Sequence, residues 1–170
     1  MGSRVTRPTP EHMLRAQTVL RAANLAFVSV VEVDAPYVVP MNFAYVSGTT
    51  GARDEAPGPL GRIILHTGTG RKTRALAENP RVCIAVTLDA AFVQGGTPCE
   101  HGFTYRSVLV EGRAALLEEA VHREQALRII VAKYDRTGED APFEKSALTQ
   151  TIVYAVEIDS LTYKERPRPA

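Results

Sequence analysis

Apolar and polar positions alternate along this chain with two different periods, and the switches between them mark its elements. Met13, Leu14, Ala16, Val19, Leu20 and Ala23 recur at helical spacing. Thr9 before them is a good cap, Pro10 suits a first helical position, and Glu11 follows in the first turn. The spacing predicts a helix over 10–23. "LAFVSVVEV", 25–33, is β-branched and mostly apolar and predicts a strand. A turn at 34–36 leads to a second strand, "YVVPMNFAYVS", 37–47, in which Pro40 lacks an amide donor and marks an edge, a bulge or a break in pairing.

Residues 48–61 are rich in glycine and proline and predict a long exposed connection. "RIILHT", 62–67, is a third strand. A helix follows from about Lys72 to Glu78, ended by Asn79 and Pro80. "RVCIAVTL", 81–88, is a fourth strand, and 89–103 is a second irregular segment. "TYRSVLVEGRAALLE", 104–118, is a long fifth strand with Gly112 as its expected bulge. Val121, Leu127, Ile130, Val131 and Tyr134 share the packing face of a helix over 119–134. "TIVYAVEIDSLTYKE", 151–165, is the last strand, and the tail beyond about 165 is expected to be disordered.

Strands joined by hairpin-length turns pair antiparallel, and helices are too sparse here for a doubly wound parallel sheet. The pattern predicts a mostly β chain with peripheral helices, of the α+β class. Its core is a six-stranded antiparallel, barrel-like sheet forming a single domain over 1–170.

Composition narrows the function. The 170 residues carry a formal net charge of +1, so no strong field exists to hold a nucleic-acid backbone or an anionic membrane. No apolar run approaches the ~20 residues of a spanning helix, and the N-terminus has no signal-peptide core. The expected setting is the cytoplasm, with neither nucleic acid nor membrane as partner. Cys83 lies in an apolar run and reads as a small buried hydrophobe; Cys99 sits in a polar loop. A disulfide between them is not expected in that compartment. Cys99 and His101 lack a second pair of ligands, so no metal is assigned. His12, His101 and His122 have no supporting cluster and receive no role.

The stretch "RIILHTGTGRKTRALAENPRV" carries the most chemistry. A P-loop needs lysine directly after its final glycine, but Arg71 separates Gly70 from Lys72, and Leu65 stands where the first glycine belongs. A dinucleotide fingerprint needs a third glycine where Thr73 stands. Both motifs fail, yet the underlying physics remains. The first amides of a helix lack intrahelical partners, its dipole adds positive charge there, and glycines allow close approach of an anion. Arg71 and Lys72 add full charges, and His66 and Thr67 end the preceding strand at the same spot. A phosphate suits such a turn. The alternative is a plain glycine turn with a solvated basic pair.

With "YVVPMNFAYV", "ILHTGTGRKTRALAENPRVCIAV" and "YRSVLVEGRA" in family order, the chain resembles the pyridoxamine 5′-phosphate oxidase-like flavoproteins of split β-barrel fold, nearest their nitroimidazole-resistance (Nim-type) branch. The resemblance spans roughly 10–160 and implies FMN. It implies that Pro40, Met41, Asn42 and Phe43 line the flavin ring, largely through backbone groups. It places His66 and Thr67 beside the cofactor and gives the phosphate to Arg71 and Lys72. Tyr105, Arg106, Ser107 and Val108 would close around a site lying between the two subunits of a homodimer. In the Nim-type branch the histidine matching His66 is regarded as functionally important, which makes it the candidate proton donor; its alternative is a histidine hydrogen-bonded within the barrel rim. Tyr105 can equally serve packing, and Arg106 can pair with a carboxylate. The connection 48–61 is longer than the family's usual one.

The function this implies is an FMN-dependent oxidoreductase that takes hydride from a reduced nicotinamide and passes it to a small acceptor, nitroaromatic or quinone-like. The alternatives are a non-catalytic flavin- or haem-binding module, with His66 as an axial haem ligand, and a deazaflavin-dependent reductase on the same barrel.

Overall fold

The computed structural model describes residues 9–33, 35–48, 58–138 and 142–167. The chain opens with helix α1, Pro10–Ala22, capped as its sequence predicts: Thr9 Oγ1 accepts from His12 N at 3.3 Å. Seven strands follow: β1 Ala26–Glu32, β2 Ala35–Met41, β3 Phe43–Val46, β4 Arg62–Thr67, β5 Arg81–Val93, β6 Gly102–Leu116 and β7 Ile152–Arg166. Helix α2, Arg71–Glu78, links β4 to β5, and α3, Ala120–Tyr134, and the short α4, Lys145–Gln150, lie between β6 and β7.

All pairings are antiparallel, in the order β2-β1-β5-β6-β7-β4-β3. The single strand expected over 37–47 is two strands. Its break falls at Asn42 rather than at Pro40, which stays in β2 opposite Phe27. Pro40 is tolerated because β2 is an edge strand and needs no donor on its free side. Among the described residues the sheet therefore has seven strands, not six, and its ladder is not closed. β2 and β3 form its two edges, yet only Asn42 separates them along the chain, so one segment joins both rims of a curled sheet.

Two apolar layers hold this shape. Val28, Val30, Phe43, Ile63, Leu65, Ile84, Val86, Val108 and Val110 fill the inside of the curl together with Ala16, Val19 and Leu20 of α1. Each fully buried aliphatic side chain contributes about 1.5–3 kcal/mol. On the other face of β4 and β7, Ile64, Val153 and Ala155 pack under Leu127 and Ile130 of α3. Burial on both faces explains why "RIIL" and "IVYAV" read as continuous apolar runs rather than alternating ones. In the packing face expected for α3, Leu127 and Ile130 are buried while Val121 and Val131 are exposed.

Gly112 marks the expected bulge. Register shifts between Glu111 and Gly112, and a Cβ at Gly112 would sit 2.2 Å from the carbonyl oxygen of Glu157. About half of the segment expected to be irregular over 89–103 is strand. β5 runs to Val93, β6 starts at Gly102, and only 94–101 turns between them, with a 3₁₀ turn at Pro98–Glu100. β7 likewise runs to Arg166, past the expected start of a disordered tail. Most of the connection at 48–61 lies outside the described residues, so its predicted exposure has no structural counterpart here. Among the described residues no helix is long and apolar enough to cross a membrane.

Candidate functional site

β3 pairs with β4 so that Phe43 lies opposite Leu65. Continued by one residue, that register sets Asn42 opposite His66. Two stretches separated by more than twenty positions in sequence thus meet at one end of the sheet, "MNF" on one side and "HT" on the other. Asn42 belongs to neither ladder and is exposed, so its main-chain groups are free of sheet pairing.

Phe43 is different. Its amide donates to the Tyr134 hydroxyl at 2.9 Å, and its carbonyl lies 2.9 Å from the same oxygen. Tyr134 Oη also lies 2.8 Å from Asn24 O, and its single proton serves one of the two carbonyls at a time. The end of α3 therefore clamps the start of β3 from behind, and the Phe43 ring is fully buried. Lys133 adds to this clamp. Its Nζ lies 3.6 Å from the Phe43 ring centroid and donates to Leu20 O at 3.2 Å, at the last turn of α1. Sequence reasoning placed Tyr134 on a packing face and passed over Lys133. Neither carries a pattern that announces a polar contact more than ninety residues away.

Half-burial lowers the Lys133 pKa from its ordinary value to about 8. The folded form then binds fewer protons than the unfolded chain between about pH 8 and the ordinary value, so this lysine makes stability rise with pH across that window. Melting temperature followed from pH 7.5 to 10 is expected to climb more in the wild type than in Lys133→Met. Parallel curves for the two would remove the lysine from this account.

At the end of β4, Thr67 Oγ1 donates to Gly68 O at 3.0 Å and the chain turns through Gly68 and Gly70 into α2. A Cβ at either glycine would meet nothing within 4 Å, so the turn faces open space. Thr73 Oγ1 accepts from Gly70 N at 3.0 Å and donates to Gly70 O at 2.8 Å, fixing the helix entry. Gly70 offers no side chain to cap the amides of the first turn, and no other side chain among the described residues does so.

The two basic residues there part company. Arg71 is held between Glu32 and Tyr37: Nε donates to Glu32 Oε2 at 2.6 Å, and the guanidinium lies 4.2 Å from the Tyr37 ring centroid. That bond draws the Glu32 carboxyl below its usual pKa. Lys72 has no ion-pair partner among the described residues and is half-buried beside His66. The His66 ring makes no hydrogen bond among the described residues. Burial first, and the nearby Lys72 charge second, push its pKa below 6.5, so it is neutral at pH 7.

Tyr105, Arg106, Ser107 and Val108 do not join this cluster within one chain. Thr67 pairs with Ile152 at the start of β7, whereas Tyr105 pairs with Arg166 at its end. The 15 residues of β7 reach roughly 45 Å along the strand at about 3.3 Å each. Arg106 is already engaged by Asp89, with Nε to Oδ2 at 2.7 Å. Val108 is buried in the core, in a strand paired on both sides. Among the described residues no group of three or more His, Cys, Asp or Glu is placed to hold a metal.

Comparison with known proteins bears on the fold. A candidate 5-nitroimidazole antibiotic resistance protein from Bacteroides thetaiotaomicron superposes with a TM-score of 0.71 at 26% identity, covering 88% of this chain and 81% of that one. The flavocytochrome Anf3 from Azotobacter vinelandii gives 0.77 at 23% identity, over 99% and 73% of the two chains. A FAD- and heme-binding protein from Mycobacterium smegmatis gives 0.73 at 24% identity, over 95% and 75%. No curated protein matches. The sequence model of the pyridoxamine 5′-phosphate oxidase family matches residues 14–165, which cover β1 to β7 and the whole cluster around His66, and the chain belongs to that family.

Proposed function

We propose that the protein is an FMN-binding oxidoreductase that passes electrons from a reduced nicotinamide to a small acceptor, nitroaromatic or quinone-like. The observation that carries this reading is the uncapped first turn of α2, which opens through two glycines onto Lys72 and a neutral His66 that has no hydrogen-bond partner among the described residues. A phosphate there would accept from the free amides and from Lys72. The ring of a flavin would lie along Pro40, Met41, Asn42 and Phe43, where Asn42 leaves its main chain unpaired. When bound, the flavin supplies hydride acceptance and donation; the chain supplies position, charge and exclusion of water. Tyr134 and Lys133 hold the ring-facing strand, and His66 presents an imidazole at its end.

The working unit in this proposal is a homodimer with a split barrel in each subunit and the cofactor between subunits. Support comes from the distance between Tyr105 and His66 within one chain, which a second copy can close. Support also comes from the outer face of β2-β1-β5-β6, where Pro40, Phe27, Ala85 and Leu109 lie in one lateral row and Phe27 and Leu109 are exposed.

A second reading, haem binding, has His66 as its support: a neutral imidazole with no hydrogen-bond partner among the described residues can ligate iron. The absorption spectrum of purified protein titrated with FMN and with haemin decides. The proposal expects the two broad flavin bands and steady nicotinamide oxidation with an acceptor. A sharp Soret band from haem, with no bound flavin, overturns it.

A further inference from the structure

The β5–β6 hairpin outgrows the sheet. Beyond Leu88 its register shifts, and Ala90, Ala91 and Phe92 are exposed on a ribbon of only two strands. Such a ribbon is marginal in water without something packed on it. At its tip Phe92 and Phe103 face each other across the ladder, 5.7 Å apart and edge to face, with 58% and 54% of their surface exposed. The His101 ring packs on Phe92 at 5.7 Å, and Gly95 N donates to His101 Nδ1 at 3.0 Å. The tip is therefore an ordered aromatic knob, not a loose loop.

The same outer face carries a matching hollow at its other end. A cavity of about 500 Å³ opens where β1, the start of β5 and the Gly112 bulge meet, with Val31, Cys83 and Val82 beside Ser29 and Ser160. Between knob and hollow, Tyr105, Ser107 and Leu109 follow one another on one face of β6. A two-fold interface is self-complementary: a knob at one end and a hollow at the other end of one face meet twice when two copies turn head to tail. Arg81, Glu111 and Asp159 also line the hollow and bring both signs of charge, so shape rather than charge carries the fit.

We infer that the 89–104 arm of one copy seats its Phe92–Phe103–His101 knob in the Cys83 cavity of a second copy, so that the dimer is clasped at both ends. The occupant is this chain rather than a foreign protein, because both halves of the fit lie on it, at the two ends of one face of β5 and β6. The inference rests on the two-copy reading above and not on any cofactor.

The two cysteines provide its test. Cys99 lies on the knob and Cys83 in the hollow. Within one chain they are held apart by the length of β5, ten steps from Cys83 to Val93 or roughly 33 Å, far beyond what a short linker spans. The full-length protein treated with a short bismaleimide is expected to give covalent dimers whose linked peptides join Cys83 to Cys99, and neither Cys83→Ser nor Cys99→Ser should give them. The Phe92→Ser/Phe103→Ser double variant, whose rings are exposed and outside the core, should raise the dimer dissociation constant roughly 100-fold or more in sedimentation equilibrium with an unchanged far-ultraviolet spectrum. A wild type that dimerises without Cys83–Cys99 linkage, and a double variant that dimerises as well as wild type, overturn the clasp and leave the dimer itself standing. A wild-type monomer overturns both.

Discussion

Replacing Lys72 with alanine is expected to weaken FMN binding by about 1.5–3 kcal/mol, the range for hydrogen bonds to charged groups, or roughly 10- to 150-fold. Lys72 is half-buried at an open helix start and has no competing carboxylate among the described residues, so its charge is available to a phosphate. Arg71→Ala is expected to cost less. Its guanidinium already spends its hydrogen bonds on Glu32 and its face on Tyr37, and turning it to a phosphate means breaking both contacts first. Fluorescence quenching during FMN titration measures the two affinities. Equal, wild-type affinity in both variants would return the turn to a solvated basic pair and withdraw the phosphate site.

The difference between these two neighbours shows where sequence stopped being informative. "GTGRK" gives two adjacent cations at a helix start, and nothing in that spacing says that one of them faces Glu32. That contact crosses thirty-nine positions and depends on α2 packing against the end of β1. The order of elements was legible because it rests on local signals: the Thr9 cap, the alternating strands, the stop at Asn79 and Pro80, and the Gly112 bulge. The division of 37–47 was not. Proline looked like the place to break pairing, but an edge strand accommodates proline, and the break follows from β2 and β3 joining opposite edges of the sheet. The arm at 89–103 was missed for the opposite reason. Gly95, Gly96, Pro98 and Gly102 suggested a loop, and ladder pairing of the exposed segments beside them overrode that composition.

The candidate site was half legible. Residues 42–43 and 66–67 meet because β3 and β4 are paired, and 71–72 follow through the turn into α2. Tyr105 to Val108 lie at the far end of the same sheet. A sequence carries no mark that distinguishes a contact within one chain from a contact between two, so a segment that completes a site from a second copy reads like any other strand.

His66→Gln carries the largest expected effect on turnover. If the imidazole donates a proton to the acceptor as it is reduced, the variant keeps FMN and loses rate by the ~10²–10⁴-fold typical of a missing general acid. The structure moves the pH range in which this is visible. Burial and Lys72 hold the His66 pKa below its ordinary 6.5, so in the free protein the protonated form, and the rate that depends on it, should already be falling below that pH. A phosphate beside Lys72 would offset the lysine's repulsion, so the His66 pKa of the FMN-loaded protein should lie above that of the cofactor-free protein. The same shift appears in stability. The folded pKa lies below the unfolded value, so the folded chain binds fewer protons between the two. The contribution is complete above 6.5 and is lost as pH falls through that window towards the folded pKa. In cofactor-free protein, His66→Gln should therefore flatten the wild type's loss of stability below pH 6.5. Rate per bound flavin separates the roles: a variant that releases FMN yet turns over normally per flavin has lost a positioning residue, not an acid. A variant with wild-type flavin content, wild-type rate and the wild-type pH profile places the chemistry elsewhere, and Lys72 and the helix start would then form a binding site with no proton donor at its edge.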